Sequence, residues 1–260
     1  MNGNIRFFDV NVRIGRSNNP KDSKVCDIEE LIGHFGYYGI DNALIYHQEA
    51  LRSSAEGNSL LLTELEGTGF YPCGVAVPTA GELGSPEHFV KTAISRGIKV
   101  FRLFPSVNNF TFAPFTLSGL LEQTGRYSMP VLVDFTDPKD PMLPYTTWDF
   151  SPDYRAVYET AVQFPDTPFV ILIPGMLTHR DQLAILSAVP NVYLECSSFG
   201  YRYIEEVCGL ISADRLIFGS HTPHLDPGLA ISYVMYAEIS DTEKQKIAGG
   251  NIQRLMGIEG

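Results

Sequence analysis

Short apolar runs rich in β-branched residues alternate with longer segments of helical period, and the alternation repeats eight times along the chain. The runs cover Arg6–Val12, Asn42–His47, Tyr71–Val77, Lys99–Phe104, Pro130–Thr136, Phe169–Pro174, Val192–Ser197 and Arg215–Ser220. Between them the pattern predicts helices over Asp27–Tyr38, Glu49–Glu66, Pro86–Arg96, Leu117–Arg126, Pro152–Phe164, Thr178–Ala188, Tyr201–Leu210 and Pro227–Ala237. Continuous apolar runs suit strands buried on both faces, and intervening helices are what join parallel strands. Eight such units in 260 residues specify an α/β fold, a (β/α)8 TIM barrel, for which about 250 residues is usual. An additional C-terminal helix is predicted over Asp241–Met256, with acidic residues where a helix start favours them. A doubly wound open sheet would carry a Gly-rich nucleotide turn after its first strand, and Val12-Arg13-Ile14-Gly15-Arg16 is not one. No repeat of solenoid length and no linker-like shift in composition divides the chain, so residues 1–260 read as a single domain.

Barrel chemistry sits in the loops that follow the strands. Three of these are long: Gly15–Cys26, Pro105–Thr116 and Asp137–Ser151. The last holds three prolines and the only Trp, which makes it a stiffened loop. Tyr145, Trp148, Phe110 and Phe112 are positioned either to roof a pocket or simply to cover the barrel rim.

Nineteen Lys and Arg against thirty Asp and Glu give a formal charge of −11. This argues against nucleic-acid or anionic-membrane partners, which need concentrated positive charge. The four cysteines, Cys26, Cys73, Cys196 and Cys208, have no short ligand spacing and read as small buried hydrophobes. Neither a signal-like N-terminus nor an apolar run of about 18 residues is present, so a soluble cytoplasmic protein is expected.

The strand-end sequences resemble those of the amidohydrolase-2 family of metal-dependent barrel hydrolases and decarboxylases. The resemblance rests on Phe8-Asp9-Val10-Asn11-Val12-Arg13, Ile98-Lys99-Val100-Phe101-Arg102-Leu103-Phe104-Pro105 and Pro130-Val131-Leu132-Val133-Asp134. It continues through Phe169–Gly175 and Asn191–Glu195 to Phe218-Gly219-Ser220-His221-Thr222-Pro223 and Ala248-Gly249-Gly250-Asn251. The family's first strand carries Asp-x-His-x-His, and here Asn11 and Arg13 hold the histidine positions. Asp134 and Pro174 hold the histidine positions of strands 5 and 6, and His221 replaces the strand 8 aspartate. Pro lacks a ligating side chain, Arg is permanently cationic and Asn is a weak neutral donor. Asp134 and His221 alone fall short of the three protein ligands of a catalytic zinc site, so neither a metal nor another cofactor is expected.

The resemblance implies that Asn11, Arg13, Asp134 and His221 converge. On this reading the Arg13 guanidinium occupies part of the vacated ion site and pairs with Asp134, as a carboxylate clamp or oxyanion stabiliser. His221 is the candidate proton acceptor, with Asp134 as its alternative orienter. His224 matches a histidine of a lactonase branch of the family, in which an arginine near Arg102 would hold a substrate carboxylate. That branch keeps the strand 1 histidines, which this chain lacks. The plainer alternatives are a purely structural Arg13–Asp134 pair, a hydrogen-bonded rim role for His221, and Glu195 as the balancing partner of the arginines. His34 and His88 read as ordinary helix residues, His47 ends strand 2 without a named partner, and His179 follows the predicted cap Thr178. Ser197-Ser198 lacks a nucleophile elbow.

Two functions follow. One is a metal-independent hydrolase of a small anionic substrate, a carboxylated lactone or cyclic amide. Its site is His221 and Asp134 for the proton, with Arg13, Arg102, Asn11, His224 and Trp148 for binding. The other is a barrel without catalysis that acts as a ligand-binding or assembly subunit. A helical outer layer is compatible with a homo-oligomer, although no exposed stripe identifies a surface for it.

Overall fold

The computed structural model describes residues 5–16, 26–136, 154–172, 187–200 and 202–258. Its strands are β1 Phe7–Ile14, β2 Ile40–His47, β3 Tyr71–Val75, β4 Val100–Leu103, β5 Val131–Asp134, β6 Phe169–Leu172, β7 Val192–Glu195 and β8 Leu216–Ile217. They pair in sequence order, and every pair is parallel. Beyond β8, the Val10 N–H donates to the Phe218 carbonyl at 3.2 Å and the Arg13 N–H to the Thr222 carbonyl at 2.9 Å, which joins the last strand to the first. The expected TIM barrel is therefore the observed architecture.

The helices begin where the local chemistry satisfies free N–H groups. Asp27 caps α1 (Ile28–Tyr38), Ser53 caps α2 (Ser54–Glu64), and Pro86 opens α4 (Pro86–Ser95) after the short α3 (Ala80–Leu83). The predicted helix Glu49–Glu66 is divided, because a 3-10 turn at Gln48–Leu51 precedes the new cap at Ser53. The helix expected from Leu117 starts at Pro114, a residue suited to a first turn (α5, Pro114–Arg126). Then follow α6 (Tyr154–Gln163), α7 (Tyr203–Ile211) and α8 (Pro227–Tyr236). The predicted helix Thr178–Ala188 lies outside the described residues except at its end, as do Pro174, His179, the loop Asp137–Ser151 with Tyr145 and Trp148, and most of Gly15–Cys26.

The C-terminal helix is not one uninterrupted α-helix. It runs as α9 (Asp241–Gln245), a π-turn at Lys246–Gly250 and α10 (Asn251–Met256). The wide turn lets the Ile247 carbonyl accept the Phe218 N–H at 3.0 Å. Gly249 lies so close to β1 that a Cβ there would stand 3.3 Å from the Cβ of Phe8. Asn251 then donates to the Ala213 and Leu216 carbonyls at 2.8 and 2.7 Å. Ala248-Gly249-Gly250-Asn251 is thus the joint that seats the terminal helix on the strands.

Two apolar layers result. The inner one fills the barrel with Phe8, Val10, Leu44, Val75, Val100, Leu132, Val170 and Ile217, and takes Ile252 and Met256 from α10. The outer one joins the opposite strand faces to the helices. Phe112 belongs to it, with its ring 6.2 Å from that of Phe135 and 6.4 Å from that of Phe169, and so is packing rather than roof. Phe110 is half-buried against the same layer. All four cysteines are free thiols; Cys26, Cys73 and Cys196 are buried and Cys208 half-buried. Among the described residues no helix is long and apolar enough to cross a membrane.

Candidate active site

Side chains alternate between the faces of a strand, so alternate residues point into the barrel. On β4 these are Val100, Arg102 and, just beyond the strand, Phe104; on β5 they are Leu132 and Asp134; on β7, Tyr193 and Glu195. β1 breaks the alternation. Asp9 pairs with Ala43 but Val12 with Ile45, so β1 holds one extra residue. This bulge changes the parity: Phe8 and Val10 face inward below it, Asn11 above it.

The polar groups of the barrel mouth form a continuous network. Arg102 donates from Nε and Nη2 to Oδ2 of Asp134 at 3.1 and 2.5 Å, and from Nη2 to Oδ1 of Asn11 at 2.8 Å. Asn11 passes the connection on, its Nδ2 donating to Oε2 of Glu195 at 3.3 Å. The guanidinium carbon also lies 4.3 Å from the Tyr46 ring centroid and 5.0 Å from that of Phe104. Arg102 is 1% exposed, and among the described residues its Nη1 makes no hydrogen bond. Burial opposes its charge, but Asp134, then Tyr46 and Cys73, raise its pKa above the ordinary value.

Three inward carboxylates share one backbone motif. Asp9 Oδ1 accepts the N–H of Asn11 at 3.0 Å, Asp134 Oδ1 that of Thr136 at 2.8 Å, and Glu195 Oε1 that of Ser197 at 2.5 Å. In each case the donor is two residues downstream, where the strand ends or bulges. Side chains add to this: the Thr136 hydroxyl donates to Asp134 and the Ser197 hydroxyl to Glu195, the latter at 2.9 Å. Glu195 also needs space across the sheet. A Cβ on Gly219 would stand 2.6 Å from its Oε1, which explains glycine in Phe218-Gly219-Ser220.

His221 is buried beside this network with φ +60°, a left-handed conformation uncommon for a residue with a Cβ. Burial first, then His224, Arg102 and Arg13, hold its pKa well below the usual histidine value, so the imidazole is neutral. The His224 ring centroid is 4.8 Å away. Arg13 is buried too, its Nη1 donating to Oε1 of Gln48 at 3.0 Å.

The expected Arg13–Asp134 pair is replaced by Arg102–Asp134, and Asp134 does not orient His221 either, since its hydrogen bonds go to Arg102 and Thr136. The reason is topological. β4 and β5 are neighbours, whereas β1 and β5 stand four strands apart in the ring of eight. Asn11, Arg102, Asp134 and Glu195 are brought into direct contact, and Arg13, His221 and His224 stand close enough to act on one another electrostatically. Trp148 lies outside the described residues. Sequence reasoning overlooked Tyr46, Gln48, Thr136 and Ser197. The last two were accessible, as hydroxyl residues two positions after a strand-end acid.

This donor set does not fit a catalytic divalent ion. Asp134 is committed to Arg102 and Thr136, Asn11 is an amide, and among the described residues no three His, Cys, Asp or Glu are grouped to hold a metal. Asp9 keeps one oxygen, Oδ2, buried without a hydrogen-bond partner. Its pKa is pushed up to about 6 by burial, against hydrogen bonds from Ser220 and Asn11 and the attraction of Arg102.

Residues 74–258 match a family model described as Amidohydrolase. Solved structures share the fold over nearly the whole chain. An uncharacterised TIM-barrel protein of Bordetella bronchiseptica is 17% identical with a TM-score of 0.73, covering 97% of this chain and 98% of its own. The 5-carboxyvanillate decarboxylase of Sphingomonas paucimobilis is 12% identical with a TM-score of 0.76, covering 98% and 100%. The 4-oxalomesaconate hydratase of Rhodopseudomonas palustris is 14% identical with a TM-score of 0.72, covering 96% and 95%. At such identities the likeness is one of fold. No curated protein matches the sequence.

Proposed function

This chain belongs to the amidohydrolase family, and from that premise we propose that it is a metal-independent hydrolase of a small carboxylated lactone or cyclic amide. Two of the structural relatives carry names of enzymes acting on carboxylated compounds, which supports an anionic substrate. The observation that carries the reading is a buried, neutral His221 within electrostatic reach of two buried guanidiniums, Arg13 and Arg102. A neutral imidazole takes a proton, while fixed cations hold a carboxylate or a developing oxyanion.

In the proposed reaction, Arg13 and His224 hold the substrate carboxylate, and Nη1 of Arg102 faces the charge that develops on the carbonyl oxygen. Water attacks the ring carbonyl as His221 removes its proton. The ring C–O or C–N bond then breaks, and the imidazolium returns the proton to the leaving oxygen or nitrogen. Asp134 and Asn11 act as positioning residues, holding Arg102 in place. A second reading, ligand binding without turnover, is favoured by the locking of Asp134 into an ion pair, which removes it from proton chemistry.

The test is ring opening of carboxylated lactones and cyclic amides by protein treated with a chelator. The proposal expects turnover that survives chelation and is lost in His221→Asn and Arg13→Met variants of unchanged circular dichroism. Thermal stabilisation by small carboxylic acids without turnover of any of these compounds would overturn it in favour of the second reading.

A further inference from the structure

We infer that the guanidinium of Arg102 is a built-in cation occupying the one oxygen-lined position where a divalent ion would bind, so that the chain excludes the ion by carrying the substitute itself. The inference rests on the metal-independent reading above and deepens it. The geometry around Nη2 is that of a cation site: it lies 2.5 Å from Asp134 Oδ2 and 2.8 Å from Asn11 Oδ1. Divalent ions with oxygen ligands sit at about 2.0–2.6 Å, so the first contact is already at ion-like length. Glu195 stands behind Asn11, at 3.3 Å from its amide nitrogen.

Charge gives an independent argument. Asp9, Asp134 and Glu195 are all buried in this mouth, against the buried cations Arg13 and Arg102. A carboxylate left alone in such surroundings is strongly unfavourable, so the site requires a cation wherever Asp134 and Glu195 are kept. The ring faces of Tyr46 and Phe104 suit a flat, weakly hydrated guanidinium and give a hydrated metal ion nothing to coordinate. The remaining donors, carboxylate and amide oxygens, select a hard ion such as Mn2+.

The prediction is that shortening Arg102 opens the site. Wild-type protein dialysed against Mn2+ and desalted should retain none, whereas Arg102→Ala should retain one Mn2+ per chain and show a saturable rise in melting temperature with Mn2+. Arg102→Ala/Asp134→Asn should lose both effects, and Arg102→Lys, which restores a cation, should bind none. If Arg102→Ala is unfolded on purification, refolding with and without Mn2+ becomes the readout, and recovery only with Mn2+ is expected. Stoichiometric Mn2+ in the wild type, or an Arg102→Ala protein that neither binds nor is rescued, would overturn the inference. The assay reads metal and not turnover. A wild type without hydrolase activity whose Arg102→Ala variant binds Mn2+ would refute only the functional proposal; metal-free turnover with an unresponsive variant would refute only this one.

Discussion

Asp9 allows a stability measurement in which one buried proton is isolated from all others. Its Oδ1 accepts N–H groups from Asn11 and Ser220 at 3.0 and 2.9 Å, while Oδ2 is sealed without a partner. Burial pushes its pKa from 3.8 to about 6. The folded chain therefore binds this proton more tightly than the unfolded chain does. Below about pH 3.8 the group is neutral in both states and carries no penalty; above about pH 6 it is charged in both and the full penalty applies. At about 1.4 kcal/mol per pH unit, the interval between those values corresponds to about 3 kcal/mol. Asp9→Asn keeps the accepting oxygen and abolishes the titration. Urea unfolding of both proteins across this pH range should show the variant gaining about 3 kcal/mol on the wild type as pH rises from about 4 to about 6.5, then no further change. All other carboxylates titrate in both proteins, so the difference isolates Asp9. A difference that stays flat with pH, or that changes in the opposite direction, would refute the assignment of a buried and unpaired charge.

Other substitutions test the packing and the chemistry. Gly219→Ala places a methyl against Glu195 and should destabilise by about 1–3 kcal/mol, measured by chemical denaturation, with much of the loss recovered in Gly219→Ala/Glu195→Gln if the clash is aggravated by the carboxylate's charge. Asn251→Ala leaves the Ala213 and Leu216 carbonyls without their donor and should lower stability by about 1–3 kcal/mol; no change would mean that water replaces the amide. If His221 is the proton acceptor, ring-opening activity should persist as pH falls through 6.5, because its pKa is held well below that value and the neutral base survives. A loss of rate centred near 6.5 would assign the titration to another group.

The barrel was legible because its strands are buried on both faces, which writes them as unbroken apolar runs, and because parallel pairing forces a helix between each pair. The site was legible in its members more than in its pairings. Arg102 and Asp134 both stood out as charges on inward strand positions, yet the partner of Asp134 was misassigned. Neighbouring strands were the available clue, since residues on β4 and β5 meet more readily than residues on β1 and β5. The bulge in β1 left no mark in the pattern, because every residue from Phe7 to Ile14 is buried whichever way it faces. Nor did the helix pattern over Asp241–Met256 reveal the π-turn, which answers to a single carbonyl taken up by Phe218.

The acids that tether the N–H two positions ahead have a consequence for remodelling the enzyme. At Asp134 and Glu195 the first backbone group after the strand is already anchored by the strand's own side chain. The loop beyond inherits a fixed point of departure and owes nothing to its own sequence for it. Segments grafted after Thr136 or Ser197 should therefore leave the mouth undisturbed, which makes these two positions the natural seams for exchanging substrate preference.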